Sequence, residues 1–396
     1  MRVAALFAGI GGLERGLEMS GHRTVLTCEI APPAITVLSR HFPDTPNQPD
    51  VRVLEALPRG IGILTAGFPC QDLSQAGTTR GIGGTKSGLV GHVFRLLDKH
   101  PVPVVVLENV SFMLQLERGA AMQTLASAFE DRGYRWAYRT VNSLGFVAQR
   151  RKRVFFVASR GDVTPEDVLF ADHAQSIEPP TTLTSHAHGF YWTEGTRGLG
   201  WAVDAIPTLK TGSTIGIPSP PAILLPDGRI IKPDIRDAER LQGFPEDWTA
   251  GVAERLRWAL VGNAVTVPVA AWLGRRLTDP GVYDASLDMD WTAQAAWPRS
   301  ARFDGRARYA IHAGEYPVWT DRAPLHTFLR HDGAPLSARA TAGFLGRAIA
   351  SPLRFAPGFL DAVRRHLERM RTVSDGGGET VARARREKKA PALATR

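Results

Sequence analysis

An α/β fold is predicted: a parallel sheet covered by helices on both faces, joined to a smaller β/loop lobe and a C-terminal extension. Three observations carry this. Short, continuously apolar segments alternate with helix-like ones through the first 110 residues, as expected of strands buried on both faces. Each apolar segment runs into a turn holding glycines or a chemically useful side chain, and in open α/β sheets ligands gather at the carboxyl ends of the strands. After about residue 161 the alternation gives way to turns rich in Pro, Gly, Thr and His, which carry no helical period.

Residues 3–7 form the first strand, which breaks at Gly9, Gly11 and Gly12; a helix follows, with Leu13 and Leu17 separated from the polar Glu14, Arg15 and Glu18. Residues 24–29 are the second strand and 33–41 a helix. Residues 61–66 are a strand ending in Gly67-Phe68-Pro69-Cys70-Gln71, and 102–108 another ending in Leu107-Glu108-Asn109-Val110. Two further strands fall near 135–142 and 153–159. Residues 235–241 and 253–277 return to helical, core-like composition. Beyond Asp279 lies a region holding Trp291, Trp297 and Trp319 that closes with an amphipathic helix of Phe359, Leu360, Val363, Leu367 and Met370. The expected division is 1–160 and 233–278 as two parts of one domain, 161–232 as the lobe, 279–372 as a basic module and 373–396 as a disordered tail.

The chain has 396 residues, 43% hydrophobic and 22% charged, an ordinary globular composition that excludes collagen, coiled coil and wholesale disorder. No apolar run approaches the roughly 20 residues of a membrane span, and the first residues lack the shape of an export signal, so a cytoplasmic protein is expected. Cys28 and Cys70 are its two cysteines, and each is either buried filler or a reagent. The net charge of +9 is uneven: residues 299–396 hold 19 Lys/Arg against 9 Asp/Glu. Such a block suits a polyanion such as nucleic acid, although a solvated basic surface gives the same arithmetic.

The turn Phe7-Ala-Gly9-Ile-Gly11-Gly12 lets backbone amides approach a ligand at a helix N-terminus. It departs from the dinucleotide fingerprint, whose third glycine would fall at Glu14. Glu29 ends the next strand, where a carboxylate can accept both hydroxyl protons of a ribose, and Asp50 could accept from an adenine amino group. Cys70 sits where a reactive thiol would project, followed by a glycine-rich segment with the cations Arg80 and Lys86; thiolate chemistry there needs nearby positive charge. In Gln149-Arg150-Arg151-Lys152-Arg153, strand alternation sends Gln149, Arg151 and Arg153 to one side. His186 and His188 have no third ligand at metal spacing, so loop polarity is expected there and no metal.

These segments resemble the DNA (cytosine-5) methyltransferases. LFAGIGGLERGLE, Glu29, Asp50, GFPCQDLS, LENV, QRRKRVFFVAS, RDAERLQGFPEDW and GNAVTVPVA follow in the family's order over about residues 3–273. The resemblance implies a Rossmann-like, S-adenosylmethionine-dependent methyltransferase domain, a target-recognition lobe between QRRKR and RDAERLQGFP, and a final helix packing back on the first. It implies Cys70 as the nucleophile on C6 of a flipped cytosine, Glu108 at N3 and the exocyclic amine, Arg153 at O2, and Arg151 in support. It assigns the cofactor to Phe7, Gly9, Gly11, Gly12, Glu29, Ile30, Asp50, Val51 and Asn263. Because that donor carries its own leaving group, the chemistry requires no metal. Pro49 stands where a glycine commonly precedes the acid, and Ile30 where an aromatic often covers the adenine. Double-stranded DNA is the implied partner of a monomeric enzyme, with a cognate restriction endonuclease as a functional counterpart. An RNA (tRNA) cytosine-5 methyltransferase and an inactive DNA-binding relative are the alternatives; a separate lobe with an added basic module, here read as DNA-contacting, speaks against the first, and intact Cys70, Glu108 and Arg153 against the second.

Overall fold

A computed structural model describes residues 1–68, 88–177, 182–211, 220–291 and 296–372. Cys70, most of the glycine-rich segment after it and the tail 373–396 lie outside the described residues. The chain divides into two compact units, one of Met1–Ile177, Thr208–Pro218 and Ile235–Arg322, the other of Glu178–Pro207, Ser219–Asp234 and Ala323–Arg396.

In the first unit, β1 (Arg2–Leu6), β2 (Arg23–Cys28), β3 (Asn47–Gln48), β4 (Ile63–Ala66) and β5 (Val104–Val110) run parallel in the order β3-β2-β1-β4-β5. Past β5 come β6 (Arg135–Asn142) and β7 (Lys152–Ser159), with β7 antiparallel to both β5 and β6. β8 (Asp288–Asp290), β9 (Ser300–Phe303) and β10 (Arg308–Ile311) extend the same sheet beyond β6, all antiparallel. Flanking helices are α1 (Gly12–Glu18), α2 (Pro32–His41), α3 (Leu89–Lys99), α4 (Ala120–Glu130), α5 (Pro165–Phe170), α6 (Ile235–Leu241), α7 (Glu254–Asn263) and α8 (Val267–Thr278). Alternate strand residues feed two cores, as the pleat requires. Ala4, Leu6, Leu64, Ala66, Val105 and Leu107 meet α3 and α4, whereas Val3, Ile63, Val104 and Val106 meet α1, α5 and α8. The result is the helix-covered sheet that the sequence predicts.

α8 packs on α1 because both present small residues: a methyl at Gly16 would overlap the Cβ of Ala270. The Ser20 hydroxyl donates to the Ala271 carbonyl at 3.0 Å, and His22 Nε2 lies 3.0 Å from the Gly274 carbonyl. The stretch Glu254–Thr278 is long and apolar enough to cross a membrane by length and composition. It is nevertheless two helices, broken at 264–266 ahead of Pro268, since proline has no N–H to bond the carbonyl four residues earlier and its ring clashes with it, whereas it is tolerated in a helix's first turn. Val269, Ala270, Trp272 and Leu273 of α8 are buried in the core.

The division into units departs from the linear one expected. α5 lies within 161–232, yet Val168, Leu169 and Phe170 are buried in the first unit's core; a helix of 6 residues is too short to display a period. Segment 279–322 does not belong with the C-terminal module. It supplies β8–β10, with Phe303 opposite Trp136 and the two rings stacked at 6.1 Å. Cross-strand aromatic pairs of this kind fix register.

The second unit holds a five-stranded sheet in the order Ala202–Val203, His188–Phe190, Ala222–Leu224, Ile230–Lys232 and Ala334–Pro335. Phe190, Leu224 and Ile230 share one core with Leu336, Phe344, Phe359, Val363 and Leu367, so the lobe and residues 323–372 are one fold. His366 stitches them: its Nδ1 accepts from the Ile230 amide at 3.2 Å, and its Nε2 lies 2.9 Å from the Leu336 carbonyl. His188 is a core residue, not the loop residue expected. It is fully buried, stacks on Trp201 at 4.8 Å, and burial pushes its pKa down to about 4.

Candidate active site

The carboxyl ends of β1, β2, β4 and β5 deliver Phe7, Glu29, Gly67 and Glu108 to one edge of the sheet. The strand order reverses between β1 and β4, which opens a crevice where a ligand can enter. A cavity of about 450 Å³ occupies it, lined among others by Phe7, Gly9, Glu29, Ile30, Gly67, Glu108, Arg151, Arg153 and Asn263. A second of about 260 Å³ is lined by Phe7, Cys28, Glu29, Ile30, Asp50, Val51 and Arg52. Phe7 and Glu29 border both.

At the cofactor side, the chain leaves β1 through Phe7 in the left-handed region, φ 56°, a strained conformation that persists only when its surroundings impose it. Gly9 follows at φ 58° with no atom within 4 Å of where a Cβ would stand, so its backbone is open to the cavity. Glu29 closes the turn: Oε2 accepts from the Gly9 amide and Oε1 from the Ala31 amide, each at 2.8 Å. Both carboxylate oxygens are thereby aimed, and each keeps a lone pair. Ile30 is 59% exposed and lines both cavities. Asp50 takes the Arg52 amide at 2.9 Å and the Arg52 Nε at 3.0 Å; hydrogen bonding to Arg52 holds its carboxyl below the usual carboxylate range. Gly11 and Gly12 do not line these cavities. A Cβ at Gly12 would stand 2.6 Å from the Val265 carbonyl oxygen, and one at Gly11 would strike Phe42.

At the other end, Glu108 is 8% exposed and its Oε1 lies 3.1 Å from Arg153 Nε. The antiparallel register sets Val110 opposite Arg153, which brings the two side chains together. Arg153 Nη1 also donates to its neighbour's carbonyl, that of Lys152, at 2.8 Å. Arg151 and Arg153 share the cavity, while Arg150 is exposed and Lys152 pairs with Glu315 at 2.6 Å, the alternation that a strand dictates. Arg151 donates to the carbonyls of Leu209, Gly262 and Ala264 at 3.3, 3.1 and 2.8 Å. It thus ties the cavity wall to the turn that carries Asn263. Cys70 lies two residues past Phe68, outside the described residues. The other thiol, Cys28, is buried, and desolvation pushes it up to about 12, so it is filler.

Sequence reasoning left the supporting residues without roles. Asn109 donates to the Phe68 carbonyl at 3.0 Å, bracing the ends of β4 and β5. Gln149 and Gln242 are both fully buried and hydrogen-bonded to each other at 3.1 Å. Gln242 also donates to the Val261 carbonyl at 2.9 Å and accepts from Thr266 at 2.8 Å. Trp248 donates to the Ile10 carbonyl at 2.9 Å, pinning the glycine turn from outside. The only signal for them was their place in LENV, QRRKR and RDAERLQGFPEDW.

Comparison with known proteins agrees with this geometry. The sequence model of the C-5 cytosine-specific DNA methylases matches residues 1–215 and 223–279. The Type II methyltransferase M2.BsuMI of Bacillus subtilis (strain 168) is 42% identical over 93% of this chain and 99% of its own length. The Type II methyltransferase M.HpaII of Haemophilus parainfluenzae is 27% identical over 69% of this chain and 88% of its own. The crystal structure of S. pombe Dnmt2 methyltransferase superposes with a TM-score of 0.52 at 18% identity, over 70% of this chain and 98% of that one; it shares the fold. The matched segments supply every side chain that lines the cavity, and the chain belongs to the C-5 cytosine-specific DNA methylase family, a DNA cytosine-5 methyltransferase.

Proposed function

We propose that this chain methylates C5 of a cytosine flipped out of duplex DNA, with S-adenosylmethionine as donor and the Cys70 thiolate as nucleophile. The observation that carries this reading is the continuity of one cavity from Phe7 and Glu29 to Glu108 and Arg153, which gives donor and base a common space. The residues present fit that donor. Glu29, held by two amides, suits ribose hydroxyls, and the apolar walls of Phe7, Ile30 and Val51 with the Asp50 carboxylate suit an adenine. Open backbone at Gly9, in the turn that Gly11 and Gly12 complete, with Asn263 across the cavity, suits the amino-acid end. When bound, S-adenosylmethionine supplies a methyl group on a sulfonium, an electrophile that carries its own leaving group.

Cytosine C5 is a poor nucleophile and is unreachable inside a stacked duplex. Bonding of the Cys70 sulfur to C6 makes C5 enamine-like, so C5 can take the methyl group. C5 then loses its proton and the sulfur leaves C6, which restores the ring and returns the thiolate. Glu108 hydrogen-bonds N3 and the exocyclic amine, where charge develops as sulfur adds, and Arg153 holds O2. Their mutual contact keeps both groups oriented before a base arrives. Arg151 holds the far wall through the carbonyls of 262 and 264. The Type II designation of the relatives favours a modification enzyme with a cognate restriction endonuclease as its functional counterpart, and action in the cytoplasm as a monomer completes the proposal.

The test uses duplexes bearing 5-fluorocytosine and the donor. With fluorine in place of the C5 proton the sulfur cannot be expelled, so a covalent complex that survives denaturing electrophoresis is expected. Cys70→Ser should form none while still binding S-adenosylmethionine. Absence of the complex on every duplex, under conditions that trap a related enzyme, would overturn the reading, and a complex formed on tRNA alone would redirect it.

A further inference from the structure

Basic charge in this chain is concentrated in the segment that completes the second unit. Residues 279–322, which extend the first unit's sheet, hold five Lys/Arg against seven Asp/Glu. Residues 323–372 hold eight arginines against three acids. The unit's other described segments, 182–207 and 220–234, hold three Lys/Arg against four acids. Its positive field therefore comes from the C-terminal segment.

The helix over 359–372 displays four of those arginines on its outer side, together with the acids Asp361 and Glu368. Phe359, Ala362, Val363, His366 and Leu367 are buried, while Arg364, Arg365, Arg369 and Arg371 are exposed on the opposite side. Arg364 pairs with Asp361 at 2.6 Å; among the described residues Arg365, Arg369 and Arg371 have no acid at ion-pair distance. In the first unit, by contrast, Arg132, Arg257, Arg276, Arg302 and Arg308 each meet a carboxylate. Arg365 and Arg369 are like charges four residues apart, but Asp361 stands four residues before Arg365 and Glu368 four after Arg364, so the outer side carries four arginines against two acids, a net +2. From 361 to 371 the helix spans about 15 Å, a length over which one DNA strand presents about four phosphates.

We propose that this arginine face binds the sugar–phosphate backbone of duplex DNA, so that residues 323–372 are the second half of the target-recognition lobe and supply sequence-independent affinity. The proposal rests on the DNA-directed reading above. In the full-length chain, Arg364, Arg365, Arg369 and Arg371 are changed together to Gln, and to Lys in a second variant. Affinity for a duplex containing the methylated site is measured across salt concentrations, beside the thermal unfolding midpoint. The Gln variant should keep its midpoint, bind at least about tenfold more weakly at low salt, and show a log–log salt slope shallower by about 3, at roughly 0.9 per phosphate lost. The Lys variant should retain the wild-type slope, because charge rather than geometry carries the contact. An unchanged slope in the Gln variant overturns the proposal. That result is separable from failure of the activity reading, since the 5-fluorocytosine complex is measured on the wild-type enzyme.

Discussion

Glu14, in the first turn of α1, is 1% exposed, and its Oε1 accepts from the Thr65 hydroxyl at 3.0 Å. Burial pushes its carboxyl up to about 7. In the unfolded chain the group ionises near its ordinary value, so above that value the unfolded state is favoured by each proton it has released. The cost grows with pH until the folded group ionises as well. Glu14→Gln keeps an oxygen for Thr65 and removes the charge, and should stabilise the protein by about 3 kcal/mol at pH 8 but by less than about 1 kcal/mol at pH 5. Urea unfolding of both proteins at the two pH values checks this, and an equal effect at both would rule out titration as the cause. Nothing in the sequence separates Glu14 from Arg15 and Glu18, because one polar residue on a short amphipathic helix reads as solvent-facing. Glu108 was legible for the opposite reason: a carboxyl that ends a run of valines has no solvent-facing alternative.

The turn after α7 holds Asn263, the helix's last residue, against the cavity, and a buried polar network attaches it beside the buried Val261, Val265 and Val267. Gln242 meets Gln149, Thr266 and the carbonyls of Val261 and Ala264 at 2.8–3.2 Å. Ser143 donates to Thr266 from the far side at 2.9 Å. Gln242→Leu leaves several buried groups unpaired at once and should cost about 3 kcal/mol or more in urea unfolding. KM for S-adenosylmethionine should rise while kcat at saturation changes little, because the turn faces the cofactor side. A loss under about 1 kcal/mol would mean that the network is dispensable. In the first unit β1, β2, β4 to β7, α2 and α6 were readable to within two residues, since their apolar runs obey simple periods, whereas β3, α3, α4, α5 and β8–β10 were not read and α7 and α8 were taken as one stretch. These polar attachments were not, because a glutamine that bridges two segments about 90 residues apart has no local pattern.

The match to the family ends at residue 279, whereas likeness to the Bacillus relative continues over 93% of the chain. The likeness to that relative therefore takes in most of the extension. Its two halves go to different places: 279–322 lengthens the first sheet and 323–372 closes the core of the second unit. Composition differs between them, with Trp291, Trp297 and Trp319 all in the first half and the excess of arginine in the second, but a basic total taken over the whole extension hides that boundary. Truncation after Arg322 tests that division. It removes Phe344, Phe359, Val363 and Leu367 from beneath Phe190, Leu224 and Ile230, and strips the strand Ala334–Pro335 from the edge at Ile230–Lys232. The exposed apolar surface and open strand edge should bind a hydrophobic dye, invite cleavage within 182–234, and promote aggregation. The first unit keeps its sheet and both halves of its core, so binding of S-adenosylmethionine should survive within about threefold while DNA methylation disappears. Methylation of the cognate site at the wild-type rate by the truncated chain would show instead that the lobe folds without its C-terminal half.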